Sequence, residues 1–279
     1  MAIAHFNISE LVTLKAIWQA AKELSNQVGR KIPVIIGVSE GEREFMDAKK
    51  VAMIIRYMRK EHDYPIFINA DHTHTLEKCL EAANAGYDAI LFDGGKLPLA
   101  ENITKTKEVV SAVKEINAKI LVEGEMGYIG SGSEILKEVP AGAAIKPEDI
   151  TKPEQAERFV AETGVDLFAP AVGNIHGMLE SALNPHLYIE AIKKIRRLAK
   201  RPLVLHGGSG TPDEDFIKAI SAGVAIIHIS TELRRAWKLG VEQGLRSQPD
   251  EVAPYKLMTQ ALEEIKKVAL ARLKFFNRV

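Results

Sequence analysis

Short apolar runs, each closed by a polar residue, recur along the chain and alternate with stretches of helical periodicity. The runs are His5 to Ile8, Pro33 to Ser39, Ile66 to Asp71, Ala89 to Asp93, Ile120 to Glu125, Leu167 to Val172, Pro202 to His206 and Ala225 to Ser230. Most are continuous rather than alternating, which suits strands covered on both faces, as in a parallel sheet. Between them the helical signals are clear. Leu11, Leu14, Ile17, Trp18 and Ala21 share one face behind Ser9-Glu10, and Thr75 stands as an N-cap before Leu80 and Ala83. Pro153 sits just inside a helix start, and Phe216, Ile217 and Ile220 mark a short helix that stops at Gly223. Every connection is long enough for a parallel crossover. Eight strand–helix units predict an α/β fold, a (β/α)8 TIM barrel spanning residues 1–279 as a single domain. An open doubly wound sheet competes, but the even spacing of the units favours closure.

Two segments exceed simple connectors. Gly127 to Lys146 carries Gly130-Ser131-Gly132-Ser133-Glu134 and a Pro140-Ala141-Gly142 tract, the composition and length of a lid or binding loop. Residues 254–274 form an extra C-terminal amphipathic helix, with Leu257, Leu262, Ile265, Val268, Ala269 and Leu273 as a packing or subunit face.

Composition narrows the function classes. Lys plus Arg and Asp plus Glu both number 37, so the formal net charge is zero, and no basic run speaks for nucleic acid or a membrane surface as partner. Cys79 is the one cysteine, which leaves no intrachain disulfide and no thiolate metal cluster. The N-terminus has no charged region leading into an apolar one, and no apolar stretch approaches the roughly 18 residues that span a bilayer. A soluble protein of a reducing, cytoplasmic compartment is expected.

The polar residues that close the runs fall at one mouth of the expected barrel, where such folds build their sites. Ser39 ends the second strand, Asp71 and His72 the third, Asp93 the fourth, and Glu123 and Glu125 the fifth. His176 follows the sixth, His206 ends the seventh, and His228 and Ser230 lie on the eighth. A lone strand-end histidine is usually structural. Three from separate strands are another matter: His72, His176 and His206 form the ligand set of a catalytic zinc site with an open position. His5, His62 and His186, near turns or strand starts, read as non-ligands, and His74 as solvated or supporting. In a regular strand Asp71 faces away from its neighbour His72, so it reads as a general acid or base rather than a ligand. Glu123 and Glu125 share a face, and one of them orients a histidine or serves as an alternative ligand. Gly207-Gly208-Ser209-Gly210, with Ser230-Thr231 at the next helix start and Gly177 after His176, reads as a phosphate cradle.

With these residues in place, the chain resembles the class II, zinc-dependent ketose-bisphosphate aldolases over almost its whole length. The stretches that carry the resemblance are Phe6-Asn7-Ile8, Val38-Ser39-Glu40-Gly41, Asp71-His72, Phe92-Asp93-Gly94 with Glu101-Asn102-Ile103, and Val122 to Gly127. Thr163 to Asp166, Gly173-Asn174-Ile175-His176-Gly177 and Leu205 to Gly210 complete the set. The resemblance implies aldol cleavage of a ketose bisphosphate to dihydroxyacetone phosphate and an aldehyde, in a homodimer or homotetramer. By the same token His72, His176 and His206 hold Zn2+, Asp93 and Glu125 stand near an alternative metal position, and Asp71 serves the C4 hydroxyl. Ser39, Gly177, Gly207, Ser209, His228, Ser230 and Thr231 contact substrate and its phosphate, and a second divalent or a monovalent cation is a further option. The eighth strand departs from the family's Lys-x-Asn-x-Asp-Thr pattern, with Ile226 in place of the lysine and His228 in place of the asparagine. Glu134 is the nearest candidate for the acid of the mobile loop. The departures leave two other expectations open: a non-catalytic aldolase-like subunit of a partner enzyme, and a zinc barrel enzyme of different reaction with His228 as an added acid or base.

Overall fold

The eight apolar runs each supply a strand and two short strands join them, ten in all, described for residues 1–279 by a computed structural model. These are β1 (Ile3–Asn7), β2 (Val34–Val38), β3 (Ile66–Thr73), β4 (Ala89–Phe92), β5 (Leu121–Met126), β6 (Ile135–Leu136), β7 (Leu167–Pro170), β8 (Met178–Leu179), β9 (Leu203–Leu205) and β10 (Val224–Ile229). Eight of them close into a parallel barrel in the order β1-β10-β9-β7-β5-β4-β3-β2, so the expected closure holds. The remaining pair, β6 and β8, forms a separate two-stranded parallel ribbon that the sequence pattern does not announce.

Helices α1 (Leu11–Val28), α2 (Glu40–Met46), α3 (Ala48–His62), α4 (Leu76–Ala85), α5 (Leu99–Ile116), α6 (Pro153–Thr163), α7 (Ile189–Ala199), α8 (Asp213–Ala222) and α9 (Thr231–Ser247) surround the barrel. Their ends follow the local signals. Thr75 accepts from the Lys78 amide at 3.2 Å, Pro153 occupies the first turn of α6, and Gly86, Gly164 and Gly223 close helices in the left-handed conformation. Ser39 and Glu42 form a capping box on α2, which places both residues at the barrel mouth. No helix is long and apolar enough to cross a membrane.

The outward faces of the strands pack against the helices in one continuous apolar core. Inside the barrel, Leu167, Ala169, Val204 and Ile226 form a smaller apolar layer joined by Ile3 and Ile35. Ile226 therefore fills the interior two residues below His228 and is not part of the mouth. At the strand starts, Asp166 accepts the Val122 amide and pairs with Lys114 at 2.7 Å, which ties the lower rim together.

The C-terminal segment is a packing element of its own barrel. It divides into α10 (Pro254–Leu257) and α11 (Thr259–Asn277), and α11 buries Ala261, Ile265, Ala269, Leu273 and Phe276 against α1 and α9. Two glycines of α9 permit this approach, since a Cβ at Gly240 would overlap Ala261 and one at Gly244 would overlap the Leu257 carbonyl.

Candidate active site

The strand ends converge as the sequence pattern requires. Apart from Glu123, Gly208 and Gly210, which stand behind its wall, the candidate residues named above, from Ser39 and Asp71 to Thr231, line one cavity of about 730 Å3 at the C-terminal mouth of the barrel. Glu134 reaches its rim from the Gly127–Lys146 loop, which also contributes Gly130 to Ser133. That loop is anchored: His176 donates its amide to Ile129, Met178 donates to Glu134, and β6 pairs with β8.

One expectation fails at the centre of the site. Asp71 and His72 do not face opposite ways. His72 adopts φ +40°, and the β3–β4 ladder shifts register between Ala70 and Thr73. This break in the pleat turns both side chains into the cavity, where His72 Nε2 lies 3.9 Å from Asp71 Oδ1. A left-handed conformation at a residue other than glycine is strained, and His72 is the one such residue that lies at the cavity, the others standing at helix ends. The Arg43 guanidinium holds the distorted segment by donating to the Val38 and Asp71 carbonyls at 2.6 and 3.0 Å and to Thr73 Oγ1 at 2.8 Å.

The three histidines are prepared in the same way. His72 Nδ1 meets Asp93 Oδ2 at 2.8 Å, His176 Nδ1 meets the Gly130 carbonyl at 2.9 Å, and His206 Nε2 meets Glu123 Oε1 at 2.7 Å. Each ring thus spends one nitrogen on an outer acceptor, and a ligand nitrogen from each lies within 4.8 Å of the others. His206 Nδ1 is buried without a partner. An imidazole trio with its outer nitrogens fixed is the donor set that suits a divalent transition metal, so the residues present fit such an ion. Glu125 lies on the flank, with Oε2 3.7 Å from His72 Nδ1 and itself unpartnered.

Charge is distributed unevenly among these groups. Burial opposes protonation of His72, but Asp71, Asp93 and Glu125 together push it up to about 10. Burial and the neighbouring imidazoles take His176 down to about 3. Burial and the Asp93 charge push Glu125 up to about 8. Burial also works against the Asp71 carboxylate, yet His72, His228 and His5 hold it well below the usual range. Asp71 is therefore ionised at neutral pH. Its Oδ2 accepts from Asn7 Nδ2 at 2.9 Å, while Oδ1 is buried and free of hydrogen bonds.

The glycine-rich turn stands beside this centre. Ser209 is buried, and its hydroxyl accepts from the Ser230 and Glu232 amides at 3.2 Å at the start of α9. Gly177 and Gly207 have φ +92° and +61°, and a Cβ on Gly207 would overlap the Ile175 carbonyl, so the loop backbones approach closely. Asn184 joins the loops by donating to the Gly177 and Ser209 carbonyls at 2.9 Å. Sequence reasoning missed Asn184, Glu42 and Arg43. Of these, only Glu42 left a local signal, the Ser39-x-x-Glu42 capping box.

The other histidines divide. His62 stacks on Trp18 outside the barrel, and His186 is exposed beside Asp215. His74 is half exposed at the cavity edge, 3.9 Å from Asp93. His5 departs from expectation: it lies within β1 rather than at a strand start, faces the interior and is buried against His228.

A parallel eight-stranded barrel whose mouth gathers three prepared imidazoles and an ionised aspartate beside a glycine-rich turn defines the class of barrel enzymes that work with a divalent metal. Over residues 1–279 the chain matches the family model for class II fructose-bisphosphate aldolases, and it belongs to that family of lyases. It is 33% identical over 279 residues to a Bacillus subtilis protein named as a probable fructose-bisphosphate aldolase, covering 99% of this chain and 92% of that one. The fructose-bisphosphate aldolase of Geobacillus stearothermophilus is 32% identical, with 99% and 91% covered. Among solved structures, the YdjI aldolase of Escherichia coli K12 superposes with a TM-score of 0.78 at 29% identity, over 99% of this chain and 91% of that one.

Proposed function

We propose that this aldolase is zinc-dependent and cleaves a ketose bisphosphate, fructose 1,6-bisphosphate or a close relative, to dihydroxyacetone phosphate and an aldehyde. One observation carries the reading: three imidazoles with their outer nitrogens engaged surround a common point beside an ionised, half-free aspartate. His72, His176 and His206 would hold the ion, with Asp93 and Glu125 available for a second position beside His72. When bound, zinc supplies Lewis-acid polarisation of the substrate carbonyl.

The chain's own residues supply the rest. The cradle of Gly177, Gly207, Ser209, Ser230 and Thr231 at the start of α9 receives the phosphate of the dihydroxyacetone half, because backbone N–H groups and the helix N-terminus favour an anion. Ser39, at the end of β2 and one strand removed from β10, would contact the rest of the sugar. Asp71 Oδ1 takes the proton of the C4 hydroxyl as the C3–C4 bond breaks, and returns it to the aldehyde oxygen in condensation. Asn7 keeps the other oxygen occupied, which leaves Oδ1 as the carboxylate oxygen without a hydrogen bond.

Two measurements test this. Zinc-loaded protein should exchange a carbon-bound hydrogen of dihydroxyacetone phosphate with solvent deuterium, and chelator-treated protein should not. Asp71→Ala should lose C–C cleavage while retaining metal; full cleavage by that variant would exclude the assignment of Asp71.

A further inference from the structure

The barrel interior just below the mouth is polar, which is unusual for a layer normally filled with branched apolar side chains. His5 and His228 stand opposite each other in the β1–β10 ladder. Their rings lie parallel, 3.4 Å apart at 4°. His206 also packs on His228, tilted by 46° with ring centroids 3.9 Å apart. The His228 ring is thus held flat by His5 and wedged by the tilted ring of His206.

The stacked pair is itself supported from outside. Asn69 Nδ2 lies 3.1 Å from His5 Nε2 and fixes the ring in its plane. Gly37 interrupts the branched run of β2 at the point where a Cβ would overlap the His5 ring. A large ring on β1 and a missing side chain on β2 complement each other. What this column delivers to the site is an edge: His228 Nδ1 lies 3.4 Å from Asp71 Oδ1, the carboxylate oxygen that Asn7 leaves free.

We infer that His228, held by the ring of His5 stacked on it, is a positioning residue that sets the orientation of the Asp71 carboxylate for proton transfer. The inference rests on the acid/base role proposed for Asp71. It gives His5 and Gly37 a task at a distance from the substrate: they keep the His228 ring in the plane that faces Oδ1. Flat stacking fixes a ring in two directions and leaves its edge free to engage a polar group. Small losses of alignment at a transferring group are costly in rate, and they act on kcat rather than on substrate affinity.

The test compares His5→Ala, His5→Phe, Gly37→Ala and Asp71→Asn in the zinc-loaded protein, with kinetic constants normalised to bound metal. His5→Ala and Gly37→Ala should each lower kcat by about tenfold or more with KM nearly unchanged. His5→Phe, which keeps a flat ring for stacking, should recover most of kcat. The double variant His5→Ala with Gly37→Ala should be no slower than His5→Ala alone, because the first change vacates the space the second one fills. Unchanged kcat in both Gly37→Ala and His5→Ala overturns the inference. So does a raised KM at full kcat, or a His5→Phe variant as slow as His5→Ala. If Asp71→Asn loses cleavage while His5→Ala keeps it, only the positioning role falls; if Asp71→Asn keeps cleavage, the acid/base reading falls and takes this one with it.

Discussion

Replacing Glu123 by glutamine separates what this site needs for folding from what it needs for an ion. Glu123 and His206 are both buried, and Oε1 stands 2.7 Å from Nε2. The carboxylate can only accept, so it fixes the proton on Nε2 and leaves Nδ1 as the lone pair at the site. A glutamine of the same shape can present either its oxygen or its NH2. In the second case it favours the other tautomer and withdraws the lone pair from the trio. Loss of an outer acceptor of this kind lowers metal affinity by about 10- to 100-fold, equivalent to about 1.4–2.8 kcal/mol. The metal-free fold should not suffer comparably, because a neutral isostere removes a buried charge as well as a partner. Chelator competition gives the zinc affinity, and thermal melting of the stripped protein gives the stability. Zinc affinity unchanged within about twofold would refute the account of how His206 is prepared. So would a stripped protein that melts far below the parent while binding zinc normally.

The stripped protein should also be most stable near pH 6.5. Burial holds His5 at about 4 and His176 at about 3, and His228 well below 6.5. The unfolded chain therefore binds more protons as pH falls below about 6.5, and stability falls with it. On the alkaline side the sign reverses. Burial opposes it, but Asp71 and Asp93 raise His72 to about 10, so its contribution is complete below about 6.5 and is lost as pH rises towards 10. Glu125, raised by burial and Asp93 to about 8, weakens the fold from about pH 4.5 to 8, and the three depressed histidines outweigh it below 6.5. Melting temperature against pH after metal removal checks this, and a curve that rises steadily to pH 9 would contradict it. For the cradle, Gly207→Ala forces a side chain into the Ile175 carbonyl at φ +61°, and binding of dihydroxyacetone phosphate should weaken roughly tenfold or more by titration calorimetry.

Much of this site was readable because parallel barrels leave their chemistry at strand ends. The ends of the apolar runs pointed to Asp71, His72, Asp93, Glu125 and His206 without any knowledge of the fold's dimensions. What stayed hidden depends on geometry that periodicity does not carry. The inward turn of both Asp71 and His72 requires a left-handed φ at a histidine, and nothing in the residue type announces that. His5 reads as a strand-start residue in the pattern, whereas β1 begins at Ile3 and the space for its ring is set by Gly37 on the neighbouring strand, a fit between strands that periodicity does not carry. Asn184 joins loops far apart in sequence and has no periodic neighbours. The pairing of β6 with β8 involves two residues on each side, too few to show in any pattern.

That small ribbon has a mechanical meaning. It fastens the rim segment that carries Glu134 to the loop that begins with His176, and the Ile129 and Gly130 carbonyls hold the same histidine through its amide and its ring. Residues 129–136 cannot swing outward unless these links break or His176 travels with them. Access to the cavity and the integrity of the histidine trio are thus geared together: a rim that opens wide loosens one corner of the trio, and an occupied trio braces the rim.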